Sequence, residues 1–340
     1  MSNTDFFSLE ITDNAIKIFD GEVSQKNILV KKISFLDNLP FSFFIEGTPD
    51  LPQKLADIIK KLTFELKKIG KRKVNVIIPD AYTYSQIIPM PTLNEKELIS
   101  AIKYQADQFI PLPIDEINID LEIIYHNEKE KTVFVLVAAV AKKLAQKIEE
   151  AVELAGLIPV VLENQLSAFG RFVNRFSSIL FQNSSSQNIF INLGQNSTSL
   201  YFFDQNIFYI SKIHTFNLGY NLFFKELKIN TSLDDKKIID LLVSFDPKNQ
   251  ENINVEEIIS PIIKHFVFEI KKIVNPGSSV FFIGNITQFP ALIEILSKNI
   301  EIPISFSIFN PYFLFKPNPQ IDHYKDKLSF FVSTVGGQIE

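Results

Sequence analysis

Hydrophobic and polar stretches alternate along the first 80 residues in a pattern that predicts a sheet followed by a helix. The pattern predicts two apolar strands, 6–11 and 15–19, joined by the polar turn Thr12-Asp13-Asn14. Asp20-Gly21 is typical of a hairpin turn, and a third strand follows near 28–33. Residues 51–69 place apolar side chains on one helical face and end at Gly70, and 74–78 is a buried strand. One α/β half therefore opens the chain.

A helix with clear ends follows. Asn94 is a good N-cap, and Glu97 is placed to bond back to the Asn94 amide, as in a capping box. Pro111 and Pro113 end the helix because proline forces the preceding residue away from helical backbone angles. The predicted buried face consists of Leu98, Ile102, Ala106 and Phe109.

Residues 81–159 combine this helix with strands near 117–125 and 132–139 and a second helix at 142–155. The βαββα-like order predicts a small α/β subdomain, which we call the insert. We assign 1–80 and 160–182 to the first half of the protein and 81–159 to the insert.

The pattern of the first hairpin returns after a polar stretch, 182–187, which predicts a hinge. Two apolar strands, 189–193 and 199–203, are again joined by a polar turn, 194–198. Helices follow at 218–227, 232–244, 255–274, 289–296 and 328–335, with a buried strand at 280–283. This duplication predicts that 188–340 form a second half, with a helical outer subdomain at about 226–275.

Composition excludes several classes of function. The chain has 340 residues, is 46% hydrophobic and carries a net charge of -5, so it is globular, and its bulk charge does not favour nucleic acid or an anionic membrane. The absence of cysteine excludes thiol chemistry, and the four scattered histidines argue against a metal cluster. The longest apolar run, 133–141, is shorter than the roughly 20 residues of a membrane helix. The polar N-terminus is unlike a signal peptide, so we expect a cytoplasmic protein with no direct membrane insertion.

The capped helix and its flanks resemble the signature of PilM, a family of cytoplasmic actin-like proteins of type IV pilus assembly and related secretion systems. Two further stretches, 137–139 and 155–159, extend the resemblance. The signature is carried by Met90, Pro91, Leu93, Glu97, Leu98, Ala101, Ile102, Ile110, Pro111, Pro113, Asp115 and Glu116.

The resemblance implies a fold and a partner. The fold is α/β and actin-like (ribonuclease-H-like), with duplicated halves and an inserted small α/β subdomain. PilM-like proteins bind the short cytosolic tail of the inner-membrane protein PilN in a groove between the first half and the insert, and they work with pilus or secretion motor components. The resemblance therefore implies a protein held at the inner membrane through its partner, and binding of this kind does not require catalysis.

An actin-like fold also implies a cleft between the halves, in which two hairpins clasp the phosphates of Mg-ATP. Relative to the family pattern, the sequence retains six cofactor-binding positions: Lys17, Gly194, Ser197, Thr198, Gly219 and Gly284.

At other positions the sequence differs from the family pattern. The family aspartates of the two hairpins fall on Glu10 and Asn192, and family glycines fall on Thr12, Tyr220 and Asn285. The Cβ of Thr12 hinders the close approach of the turn backbone to a phosphate. The neutral side chain of Asn192 binds magnesium less well than a carboxylate does, and the Tyr220 side chain is expected to intrude on the cleft. The stretch that borders adenine in the family falls on 236–240 and lacks its key residue types.

These departures favour a non-catalytic scaffold of a pilus or secretion platform, with no catalytic residue and no required cofactor. The alternative is an active actin-like ATPase that uses Mg-ATP in the cleft. A third hypothesis, a cell-division filament protein, lacks support because residues 336–340 offer no amphipathic membrane helix. The retained residues also have ordinary interpretations as a solvated lysine and as turn or strand residues. The sequence does not fix whether Glu10 and Glu163 lie close enough to act as paired carboxylates.

Overall fold

The computed structural model describes residues 4–37, 42–43, 51–65, 69–105, 110–181, 187–207, 209–244, 254–301 and 303–339. Four predictions fall partly outside these ranges: residues 66–68 of the first helix, Ala106 and Phe109 of the capped helix, 182–186 of the hinge, and 245–253 of the helical outer subdomain.

The strands, in chain order, are β1 (Phe6–Ile11), β2 (Ala15–Val23), β3 (Ile28–Asp37), β4 (Lys73–Ile78), β5 (Thr83–Pro91), β6 (Ile117–Asn127), β7 (Thr132–Ala141), β8 (Ile158–Asn164), β9 (Asn188–Leu193), β10 (Thr198–Asp204), β11 (Tyr209–Phe216), β12 (Ser279–Ile283) and β13 (Ser305–Ile308). The helices are α1 (Leu51–Glu65), α2 (Glu95–Gln105), α3 (Lys142–Leu154), α4 (Gln165–Leu180), α5 (Tyr220–Asn230), α6 (Asp235–Val243), α7 (Val255–Ile273), α8 (Pro290–Lys298), α9 (Pro319–His323) and α10 (Val332–Gly336).

Two five-stranded sheets repeat one topology. The first has the order β3-β2-β1-β4-β8 and the second the order β11-β10-β9-β12-β13. In each sheet an antiparallel hairpin (β1–β2 or β9–β10) is joined by a parallel strand (β4 or β12). The α/β class and the internal duplication predicted from the sequence are therefore confirmed.

The interpretation of Asp20-Gly21 as a hairpin turn is wrong. β2 continues through both residues, and its register against β3 shifts between them. The chain turns instead where the Ser24 amide donates to the Asn27 carbonyl at 2.9 Å. A Cβ on residue 21 would lie 2.5 Å from the Leu29 carbonyl oxygen, so the close approach of β3 requires glycine here.

A third sheet, of three strands in the order β5-β7-β6, carries α2. The capping box is present: the Asn94 side chain accepts from the Glu97 amide, and the Glu97 carboxylate accepts from the Asn94 amide, each at 3.0 Å. Leu98 and Ile102 are buried against β7, as the helical spacing predicts.

Helix α3 has a different environment. Its buried residues Ile148, Ala151 and Val152 belong to the core formed by β1, β4 and α1. The sequence assigned this helix to the insert, and the boundaries of the insert and of the two halves stay a prediction.

A common apolar core joins the two five-stranded sheets. It contains Phe169 of α4, Phe190 of β9 and Phe331, which ends a 3₁₀ turn at Lys325–Phe331 just before α10. The predicted helix 328–335 is thus a 3₁₀ turn followed by α10. A Cβ on Gly336 would lie 1.8 Å from the Ala168 carbonyl oxygen, so α10 packs directly on the backbone of α4.

Candidate functional site

The two hairpin turns meet in the cleft between the halves. The first turn is closed by the Thr12 amide, which donates to the Ala15 carbonyl at 2.8 Å. The second is closed by the Gly194 amide, which donates to the Ser197 carbonyl at 2.8 Å. The Asn196 side chain then donates across the cleft to the Asp13 carboxylate at 2.9 Å. The turns therefore contact each other directly.

Lys17 points into the protein. Its ammonium donates to the Glu10 carboxylate at 3.0 Å and to the Phe330 carbonyl at 2.7 Å, and both charged side chains are 1% exposed. Burial lowers the pKa of Lys17, while the adjacent Glu10 carboxylate opposes that effect. Glu10 also accepts from Gln165 at 2.7 Å and from Thr334 at 2.6 Å. The Lys17 ammonium, which the resemblance implies as a phosphate ligand, is thus bound by other groups of the chain.

The second turn and Gly219 pack backbone against backbone. The Tyr220 amide donates to the Gly194 carbonyl at 3.0 Å, and a Cβ on Gly219 would lie 2.1 Å from the Gln195 carbonyl oxygen. The Thr198 hydroxyl donates to the Leu218 carbonyl at 2.5 Å. The structure therefore brings four of the six predicted cofactor-binding residues together, and their contacts are to one another and to neighbouring backbone.

Gly284 lies at the other side of the second hairpin. Its φ is +73°, and a Cβ there would lie 2.5 Å from the Asn192 side-chain oxygen. The next residue, Asn285, donates to the Thr12 hydroxyl and to the Asn14 side chain, each at 3.0 Å. The Asn285 side-chain amide therefore binds the first hairpin turn across the cleft, at the position where the resemblance implies a glycine.

A buried hydrogen bond between two polar side chains also connects the halves. The Tyr201 hydroxyl of β10 donates to the carboxylate of Asp80, which follows β4, and Asn192 donates to the Tyr201 oxygen at 3.3 Å. Burial raises the pKa of Asp80 to about 6, although the Tyr201 hydroxyl, the Leu166 amide and a Ser199 hydrogen bond favour its charged form. Sequence reasoning missed this pair, because nothing local distinguishes a core tyrosine from one that bonds a residue 121 positions away.

Several groups that the resemblance offers for a nucleotide have partners within the chain. They are the Lys17 ammonium, the Thr12 and Gly194 amides and the Asn285 side chain. Among the described residues, no group of three histidine or acidic side chains could hold a metal ion. The two carboxylates considered as a pair are each bound by a separate cation, Glu10 by Lys17 and Glu163 by Arg171.

A groove remains open between the first half and the three-stranded sheet. It has a volume of about 280 Å³ and lies between β8 and β6, each of which is the last strand of its sheet. Ala138 and Val140 of β7 and Leu162 of β8 supply apolar lining. The Arg171 guanidinium binds both oxygens of Glu163 at 2.7 Å inside it. Both β6 and β8 are edge strands, and the outer backbone of an edge strand can pair with an extended peptide.

Comparisons with known proteins place the chain among pilus proteins. Residues 8–216 match the sequence profile of the type IV pilus assembly protein PilM. The structure described as the PilM-PilN type IV pilus biogenesis complex is similar over 98% of each chain, with a TM-score of 0.79 and 20% sequence identity. The ethanolamine utilization protein EutJ from Carboxydothermus hydrogenoformans is similar over 98% of this chain and 89% of its own, with a TM-score of 0.54 and 11% identity. The fold is actin-like. No helix in the described ranges combines the length and hydropathy needed to cross a bilayer.

Proposed function

Because the chain belongs to the PilM family of type IV pilus assembly proteins, we propose that it is a non-catalytic scaffold of a pilus or related secretion platform. In this role it binds the cytosolic tail of a PilN-like inner-membrane protein and is held at that membrane through the tail. The similar solved structure, described as a complex of PilM with PilN, supports the choice of partner.

The observation that carries the proposal is the open groove between β6 and β8. Two edge strands line it, so an extended tail can gain backbone hydrogen bonds on either side. The side chain of Val161 on β8, which lines the groove and is 50% exposed, offers an apolar contact beside those backbone groups. The cleft, in contrast, is bridged by the chain's own side chains.

A binding titration tests this function. The full chain is titrated into a fluorescent peptide that comprises the cytosolic tail of the PilN-like protein of the same organism. We expect saturable binding that is lost in Val161→Glu, because this substitution puts a charge in the groove. Phe64→Glu is the matched control, since Phe64 is 79% exposed on α1 and does not line the groove. Absence of binding by the unmodified chain, or equal loss in both variants, contradicts the proposal.

A further inference from the structure

The groove has two chemically different walls. On the β8 side Val161 and Leu162 present apolar side chains. On the β6 side, Asp120 and Glu122 alternate with residues that face α2, so their carboxylates border the groove. The β6 wall is therefore acidic, while the β8 wall carries apolar side chains and one carboxylate, Glu163, which is bound by Arg171.

The charge of the groove is unbalanced. Four carboxylates and one arginine line it, and that arginine, Arg171, is already bound by Glu163. Within the described parts of the chain, Asp120, Glu122 and Glu149 form no ion pair. Partial removal from water raises the pKa of Glu122, Arg171 opposes the rise, and the nearby carboxylates of Glu163 and Asp120 add to it. A bound cation would relieve this repulsion.

A hydroxyl without a partner lies beside the same cluster. Tyr209 of β11 is 6% exposed, and its hydroxyl makes no hydrogen bond among the described residues. The hydroxyl lies against Gly170, where a Cβ would approach it to 2.8 Å, and the neighbouring residue is Arg171. Burial raises the pKa of Tyr209, and the charges of Glu122 and Glu163 add to the effect while Arg171 opposes it. The phenol therefore stays protonated.

Resting on the proposed function, we infer that the groove selects a tail with a Lys or Arg side chain that pairs with Glu122 and an apolar side chain that packs against Val161. Neighbouring side chains of an extended peptide point to opposite sides, so one short segment can contact both walls of the groove. Cytosolic segments next to membrane spans are enriched in Lys and Arg, which matches the acidic wall. Charge on the tail thereby sets which membrane protein the scaffold accepts.

The test compares two tail peptides against the full chain at low salt. One peptide has the natural tail sequence, and the other has each Arg replaced by citrulline and each Lys by norleucine, which removes the charge and keeps the length. We expect the neutral peptide to bind about tenfold more weakly, and Glu122→Gln to weaken the natural peptide by a similar factor. Glu150→Gln on α3 is the control, because it removes the same charge from an exposed residue outside the groove.

A double-mutant cycle distinguishes a direct ion pair with Glu122 from long-range electrostatic attraction. If the cation pairs with Glu122, the neutral peptide binds Glu122→Gln and the unmodified chain with equal affinity. Binding of both peptides with equal affinity to the unmodified chain overturns the inference and leaves the proposed function standing. If Glu122→Gln and Glu150→Gln weaken binding equally, only long-range charge acts and the inference is also overturned. Failure of the natural peptide to bind the unmodified chain at all counts against the proposed function itself.

Discussion

The ammonium of Lys17 and the carboxylate of Glu10 form an ion pair 3.0 Å long that is sealed from solvent. The two residues face each other on the β1–β2 hairpin. Glu10 also accepts hydrogen bonds from α4 and α10, and Lys17 donates one to a carbonyl of the 3₁₀ turn. A lysine that the sequence offers for phosphate therefore serves the structure of the protein.

Replacing Lys17 by methionine should lower the free energy of unfolding by about 3–5 kcal/mol, because it leaves the Glu10 carboxylate buried without a countercharge. Urea denaturation followed by circular dichroism measures the change. Lys61→Met, at an exposed position of α1, is the control and should change stability by less than about 0.5 kcal/mol. The double variant Glu10→Gln/Lys17→Met should be more stable than Lys17→Met. An unchanged stability of Lys17→Met would show that the pair is not structural.

Gly219→Ala should destabilise the protein by at least about 2 kcal/mol, because its Cβ would overlap backbone atoms of Gln195. Gly194→Ala in the same region is the matched control. Its Cβ would have one near neighbour, the Ser197 carbonyl oxygen at 3.2 Å, which a small shift can relieve. Thermal unfolding of both variants compares the loss of stability that each substitution causes. Equal melting temperatures would mean that the packing of Gly219 on the second turn contributes little.

Stability should fall as the pH rises from about 4 to about 6, through the titration of Asp80. The folded pKa of about 6 lies above the reference value of 3.8, so the folded state binds a proton that the unfolded state releases. This contribution is fully present below pH 4 and is lost above pH 6, with a size on the order of 2–3 kcal/mol. Urea midpoints measured across this range for the unmodified chain and for Asp80→Asn isolate it. Parallel pH profiles in the two proteins would assign the titration to other groups.

Calorimetric titration with Mg-ATP should give no saturable heat, since the ligand would have to displace the bonds of Asn285, Asn196 and Lys17. Asn285→Gly restores the residue type of the family pattern and removes two hydrogen bonds across the cleft. We expect this variant to bind Mg-ATP more tightly than the unmodified chain does. Saturable micromolar binding to the unmodified chain would instead support the ATPase alternative.

Local signals in the sequence were sufficient for much of the fold. The capping box of Asn94 and Glu97 is a relation between residues three positions apart, and it appears as expected. The repeated hairpins were recognisable because alternation of apolar residues around a polar turn is also a local pattern. Asp20-Gly21 misled the interpretation because the same dipeptide suits a tight turn and a bulge, and the approach of β3 decides between them.

The candidate sites depend on contacts between distant segments. Lys17 bonds to the carbonyl of residue 330, and Tyr201 bonds to Asp80 across the halves. Spacing along the chain carries no information about such pairs, so an ordinary lysine and a buried one could not be told apart. The groove is likewise formed by two edge strands, β6 and β8, whose neighbourhood emerges only when the sheets are assembled.

The placement of α10 has a consequence for biosynthesis. Gln338 accepts a hydrogen bond from the Gly21 amide and donates to Thr4 and to the Phe6 carbonyl, while Thr334 donates to Glu10. The amino-terminal hairpin leaves the ribosome long before these partners exist, and at 5–20 residues per second the delay is roughly 16–60 s. During that interval Lys17 and Glu10 lack their final enclosure, and a nascent chain halted before residue 330 would carry an unfinished hairpin exposed to proteases and chaperones.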